Sequence, residues 1–364
     1  YMEDEKLQQT QINLQNIIYC KYLYDHLQNN NSLNLINTLQ TTIEETNKRI
    51  IKLIYEKKEH SFFSIQKSIE SNPLDLKYKE TLTSKCLKNY SIDSLFDVFI
   101  ALDGNCYLAS SINSSYDIQV MNLKTKTVSG TLAGHTNQLY IIRHFCYLSR
   151  NSDYILSTCT SKSLCVWNLS NYQLHIKINN CHNGSYLYSA LLLFDDNKQK
   201  SYIITSCPNE YMKVWDFDKG NYLREIGGSN DYTYFINSWY HNEKYYIINT
   251  NSDNVKIYGI EHTKELYREF SGQERTWHMS AFVGEIDNVE YLIESDGNGF
   301  VRLWNLETSK CFKEIQCHGC NLRGLCLWNK NYVIAASSDK SFKVINIKEG
   351  KITSFSGQHN NAVC

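Results

Sequence analysis

Six times along the chain a short run of alternating apolar residues closes on an aromatic or apolar residue followed by Asn, Asp or Gly. The runs read IQVMN at Ile118–Asn122, LCVWN at Leu164–Asn168 and MKVWD at Met212–Asp216. They continue with VKIYG at Val255–Gly259, VRLWN at Val301–Asn305 and FKVIN at Phe342–Asn346. Their last residues lie 46, 48, 43, 46 and 41 positions apart. Alternation with period two marks a pleated strand with one apolar face. A repeat in the forties marks a unit of four short strands that buries its faces only by stacking on copies of itself around an axis.

The rest of each repeat fits a four-stranded antiparallel meander. In the best-preserved copy, Gly324–Trp328 reads as the inner strand and Tyr332–Ser337 as the second. Phe342–Ile347 reads as the third and Lys351–Phe355 as the outer one, with Asp339 at the turn between second and third. Turn-forming residues punctuate each step. Asn stands at many of these turns, where it tolerates the left-handed conformation and hydrogen-bonds its own backbone.

Before Ser91 the pattern is different. Residues 2–28 and 32–70 lack Gly and Pro. In the second stretch Ile36, Leu39, Ile43, Thr46, Ile50 and Leu53 alternate spacings of three and four, an apolar helical seam. Residues 1–72 are therefore expected to be helical. A hairpin folding back at Gln28–Asn31 and a coiled coil self-associating through residues 32–56 both satisfy that seam. Pro73 ends the helical region. Residues 73–90 read as a connector, with an extra outer strand near Leu82–Lys88.

The repeats from residue 91 onward resemble the WD-repeat family of β-propellers. In that family a blade opens with Gly-His and closes its third strand with Trp-Asp. The opening pair stands here as Gly134-His135, Cys181-His182, Gly272-Gln273, Cys317-His318 and Gly357-Gln358-His359. The closing pair stands as Trp167-Asn168, Trp215-Asp216 and Trp304-Asn305, with Met121-Asn122, Tyr258-Gly259 and Ile345-Asn346 as weaker copies. The resemblance implies a mainly β fold, a WD-repeat propeller over residues 91–364, preceded by the helical coiled-coil segment. Six blades are recognisable, and Gly357–Cys364 reads as the start of a seventh. The propeller is thus expected to be incomplete at its C-terminal end.

The family's blades also carry a buried network of the opening His, a Ser or Thr, an Asp six residues before the Trp, and the Trp itself. That position holds Ser115, Ser161, Asn209, Ser252, Asn298 and Asp339 here. Only Asp339 is an acid, and its blade has Ile345 in place of Trp. No blade is therefore expected to hold the whole network, and apolar packing is expected to carry the stability.

Composition excludes several classes of work. Formal net charge is −1, and the first ninety residues carry 12 basic and 11 acidic side chains. No basic stripe suggests nucleic acid, and no apolar run is long enough to span a bilayer. The 13 cysteines are an odd number scattered along strands, which suits free thiols in a reducing, cytosolic compartment. Cys317-His318-Gly319-Cys320 has CxxC spacing but no second pair to complete a zinc site. No phosphate-binding loop, HExxH pair or nucleophile elbow occurs. Asp195-Asp196 and Glu294/Asp296 are read as solvated turn carboxylates. Neither an enzymatic activity nor a cofactor nor a metal is expected.

What remains is the rim. In propellers the loop entering each inner strand faces one end of the ring, where partner peptides dock. The matching positions are Gln138, Tyr140, Tyr188, Tyr234, His278 and Arg323. Tyr and Arg anchor interfaces because they bury large areas and still hydrogen-bond. The expected function is a non-catalytic scaffold that binds proteins or peptides on this rim. The resemblance also admits a substrate receptor of a ubiquitin ligase and a structural component of a cytoskeletal or ciliary assembly.

Overall fold

A computed structural model describes residues 96–355, apart from 113–114, 184–185, 196–197, 228–231, 262–264, 273–276, 288, 330 and 340. The expected helical segment 1–72, the connector 73–90 and the seventh-blade start at 357–364 lie outside the described residues.

The described residues form a six-bladed β-propeller, each blade an antiparallel sheet of four sequence-consecutive strands. Blade 1 comprises β1 (Phe96–Ile100), β2 (Cys106–Ser111), β3 (Ile118–Asn122) and β4 (Thr127–Leu132). Blade 2 comprises β5 (Leu139–Tyr147), β6 (Ser152–Cys159), β7 (Leu164–Asn168) and β8 (Gln173–Ile178). Blade 3 comprises β9 (Ser189–Asp195), β10 (Lys200–Ser206), β11 (Met212–Asp216) and β12 (Tyr222–Ile226). Blade 4 comprises β13 (Phe235–His241), β14 (Lys244–Thr250), β15 (Asn254–Gly259) and β16 (Leu266–Ser271). Blade 5 comprises β17 (His278–Ile286), β18 (Val289–Asp296), β19 (Phe300–Asn305) and β20 (Cys311–Gln316). Blade 6 comprises β21 (Leu322–Asn329), β22 (Tyr332–Ser337), β23 (Phe342–Asn346) and β24 (Lys351–Phe355). The six repeated runs are the third strands.

The Asn or Asp that closes five of the six runs explains why those runs end there. The side-chain oxygen of Asn122 accepts the backbone N–H groups of Lys124 and Thr125. Asp216 does the same for Asp218 and Lys219, Asn305 for Glu307 and Thr308, and Asn346 for Lys348 and Glu349. Four residues after the closing position the backbone turns left-handed, at Lys126, Tyr172, Gly220, Ser309 and Gly350. The turn needs only an acceptor oxygen, so Asn serves as well as Asp.

Core packing lies between blades. One apolar cluster joins Leu156, Leu164 and Val166 of blade 2 to Leu192, Ile203 and Trp215 of blade 3. Equivalent clusters lie between blades 1 and 2, 3 and 4, 4 and 5, and 5 and 6. Among the described residues no such cluster joins blade 6 to blade 1. On β1, Val98 and Ile100 are 51% and 56% exposed.

Polar contacts tie the inner strands together. Asp97 accepts the His144 N–H at 2.6 Å, and Ser189 Oγ accepts the Ile236 N–H at 3.1 Å. Arg143 Nη1 donates to the carbonyls of Ala190 at 3.1 Å and Ile236 at 3.3 Å, spanning three blades. Burial lowers the Arg143 guanidinium to about 10, which leaves it charged at neutral pH.

The buried network departs from expectation in blade 3. His182 Nε2 and Trp215 Nε1 both meet Thr205 Oγ1 at 2.9 Å, and His182 Nδ1 meets Glu210 at 3.0 Å. The acid missing at Asn209 is supplied one residue later, because Asn209 takes a left-handed turn and the longer Glu210 side chain reaches back. Blade 2 keeps three members: His135 and Trp167 share Ser157 Oγ at 2.8 Å. Blade 6 keeps His318–Asp339 at 2.8 Å beside Ile345.

The described members of the acidic pairs, Asp195, Glu294 and Asp296, are also not solvated. Asp195 is buried and accepts the Lys198 N–H at 3.1 Å. Glu294 and Asp296 are fully buried, and Arg302 Nη1 lies 2.6 Å from Asp296. Glu294 falls where Ser157 and Thr205 stand in their blades, ten residues before Trp304, so the strand register carries it inward.

A matched pair of substitutions tests this network. Thr205→Val strands two buried groups, His182 Nε2 and Trp215 Nε1, and is expected to cost at least about 2 kcal/mol in a denaturant melt. Thr158→Val removes a buried hydroxyl with no partner, and is expected to be neutral or stabilising.

Burial lowers the His182 imidazole from 6.5 to about 4. The unfolded chain therefore binds this proton first. Stability from this residue is complete above pH 6.5 and is lost as pH falls towards 4. Its slope is on the order of 1.4 kcal/mol per pH unit. A pH series of unfolding midpoints should show this decline, and His182→Gln should flatten it.

Candidate functional site

The six inner strands all begin at the same end of the propeller. There the chain repeats a three-residue pattern whose middle side chain is buried: Leu139, Leu187, Thr233, His278 and Leu322. The flanking residues share backbone pairing. The carbonyls of Gln138, Trp277 and Asn321 accept N–H groups from Thr160, Gly297 and Ser338 at the next turn. The N–H groups of Tyr188 and Tyr234 donate to Ser206 and Thr250. This register places two tiers at the mouth. One is Gln138, Tyr186, Tyr232, Trp277 and Asn321; the other is Tyr140, Tyr188, Tyr234, Met279 and Arg323.

The aromatic members form a continuous arc. Tyr140 stacks on Tyr188 with centroids 5.6 Å apart and planes 12° from parallel. Tyr188 stacks on Tyr234 at 6.3 Å and 13°. Tyr186 lies 6.2 Å from Tyr140, and Tyr232 lies 5.2 Å from Tyr234. Tyr234 reaches Trp277 at 6.3 Å. Tyr140, Tyr186 and Trp277 are 40%, 45% and 53% exposed, so the arc holds large apolar area against solvent.

Electrostatically the arc is neutral with one positive end. A hydrogen bond with Tyr232, at 3.3 Å between hydroxyls, and burial push the Tyr188 phenol above its ordinary value. Burial raises Tyr140 and Tyr234. These phenols therefore stay protonated and can donate. Arg323 is exposed, its Nε donates to Ser338 Oγ at 2.9 Å, and its charge reaches Tyr140.

Of the rim residues inferred from sequence, Gln138, Tyr140, Tyr188, Tyr234 and Arg323 lie at this mouth. His278 does not. It occupies the buried middle position of its triplet, where its Nδ1 is 2.7 Å from Glu294. Burial alone would lower its pKa, but the Glu294 carboxylate outweighs this and raises it. The mouth residue of blade 5 is the preceding Trp277. Tyr186 and Tyr232 were also missed. Their signal was a Tyr-x-Tyr pair recurring after 46 residues, SYLYS and DYTYF.

Among the described residues one group of side chains has metal-ligand spacing: the ligand atoms of His182, Cys207 and Glu210 lie within 4.8 Å of one another. His182 and Glu210 are bonded to each other there, and the Lys213 ammonium lies 3.5 Å from Glu210. That arrangement serves the blade 3 network. Cys317 and Cys320 do not converge: Cys317 is buried against the Gly299 carbonyl, while Cys320 is exposed. No helix among the described residues is long and apolar enough to cross a membrane.

Trp277 supplies a direct optical test. Trp277→Phe is expected to remove more iodide-quenchable emission than Trp167→Phe, since Trp167 is buried. Equal losses would contradict the exposed placement of Trp277. Compared with protein-family models and with curated proteins, the chain matches none.

Proposed function

We propose that the protein is a non-catalytic WD-repeat scaffold of the cytosol that binds partner proteins or peptides at the mouth where its inner strands begin. The observation that carries this reading is the aromatic arc. Blades 2 to 5 each contribute at least one exposed or half-buried ring to one continuous surface. Tyr and Trp present rigid area, so burying them under a partner costs little side-chain entropy. Packing between neighbouring blades supports the placement of part of each ring. It does not cover the outward area of Tyr140, Tyr186 and Trp277. The WD-repeat reading rests on the opening His and closing Trp residues, which meet through Ser157 and Thr205 in two blades. Free thiols at Cys146, Cys165 and Cys181 support a reducing compartment.

Affinity capture tests the reading. The wild-type chain is expected to retain partners that Tyr140→Ala/Trp277→Ala loses. The control pair Tyr222→Ala/Phe312→Ala, on exposed positions of outer strands, is expected to retain them. Equal capture by all three proteins would remove the arc from the binding surface.

A further inference from the structure

The arc's chemistry narrows what it takes, given the rim reading above. We propose that its ligand is an extended, acidic, proline-bearing segment of a partner protein. Among the ten mouth positions, Arg323 is the one charged residue. Its Nε is held by Ser338, which leaves the two terminal nitrogens of the guanidinium as donors. No carboxylate of the described residues forms an ion pair with it. Acids of the neighbouring turns are committed elsewhere: Glu210 to His182, Asp296 to Arg302 and Asp339 to His318. A partner carboxylate meets the two terminal nitrogens in the paired geometry that guanidinium favours.

The same charge argues against a cationic ligand. Aromatic faces attract ammonium groups, but Arg323 acts on Tyr140 and would repel a cation on that face. A single-stranded nucleic acid would stack its bases on such rings, yet it also needs cations along its backbone. The mouth supplies one.

Ring spacing favours proline. Successive rings lie 5.6 and 6.3 Å apart along Tyr140, Tyr188 and Tyr234. A polyproline II segment rises about 3.1 Å per residue and is already stiff, so it lays rings on an aromatic groove with little ordering cost. The hydroxyls of Tyr140, Tyr186 and Tyr234 have no hydrogen bond to another described residue. They can donate to the carbonyls that such a segment leaves open.

Fluorescence polarisation on the full chain tests the proposal with labelled peptides PPEPPEPP, PPKPPKPP and GGEGGEGG and a labelled single-stranded oligouridylate. PPEPPEPP is expected to bind tightest. Arg323→Glu should weaken it by about ten-fold or more, with Arg323→Lys between the two. GGEGGEGG should bind at least several-fold more weakly than PPEPPEPP. Equal binding of the glutamate and lysine peptides, or tighter binding of the oligouridylate, would overturn the proposal. If PPEPPEPP fails while capture still depends on Tyr140 and Trp277, the ligand class falls and the rim reading stands. If capture is also indifferent to those residues, both fall. Circular dichroism of each variant separates lost binding from lost fold.

Discussion

Each sheet of this protein has two apolar faces, and neither is covered by its own strands. Everything else follows from the way neighbours cover them. The clusters that hold Leu156 against Leu192, or Ile293 against Val333, belong to pairs of blades rather than to single ones. A buried aliphatic side chain contributes about 1.5–3 kcal/mol, so each interface of this size outweighs the polar contacts that cross it. Blade geometry is then dictated by packing, and the inner strands are brought side by side around the axis. Arg143, Ser189 and Asp97 add hydrogen bonds to that arrangement and fix how the strands meet.

The polar networks vary more than the packing does. Blade 3 completes its His–Thr–Trp chain with Glu210, blade 2 stops at Ser157, and blade 6 joins His318 to Asp339 without a Trp. In blade 5 a fully buried Glu294 sits between His278 and Arg302 instead. In each of these blades a buried His has at least one ring nitrogen answered by a side chain, while Trp304 Nε1 in blade 5 has no hydrogen-bond partner among the described residues. The residue that answers the His differs because the backbone at each turn differs. Gly299 marks one such turn: it is left-handed, and a Cβ there would lie 2.1 Å from the His318 carbonyl oxygen.

Because every inner strand starts at the same end, the packing also assembles the mouth. A two-residue spacing along each entry puts alternate side chains outward while the middle one anchors the strand. Four blades use this geometry to align rings, and the sixth adds Arg323. This neutral aromatic arc with one positive end is the surface proposed above for recognition, and the proposed ligand follows from its chemistry.

The alternation of IQVMN and its five relatives determined the third strands, since a pleat with a buried face has no other period. In the five runs that close on Asn or Asp, that residue determined the turn, because the acceptor and its donors lie within three residues. The outer strand Lys351–Phe355 was legible for the same local reason. The exposed rim was only partly legible. Tyr140, Tyr188, Tyr234 and Arg323 could be read from their place before an inner strand. The loop into blade 5 carries Gln273 where the openings of blades 2, 3 and 6 carry His, and the rim position was read at His278 instead of Trp277. Glu210 was missed because the left-handed turn at Asn209 shifts the acid by one residue, and the burial of Glu294 because its place ten residues before Trp304 is set by strand register and not by its charge. The arc itself belongs to the tertiary structure alone. Its rings on successive blades are more than forty residues apart along the chain, and only the rotation of one packed blade against the next brings them face to face.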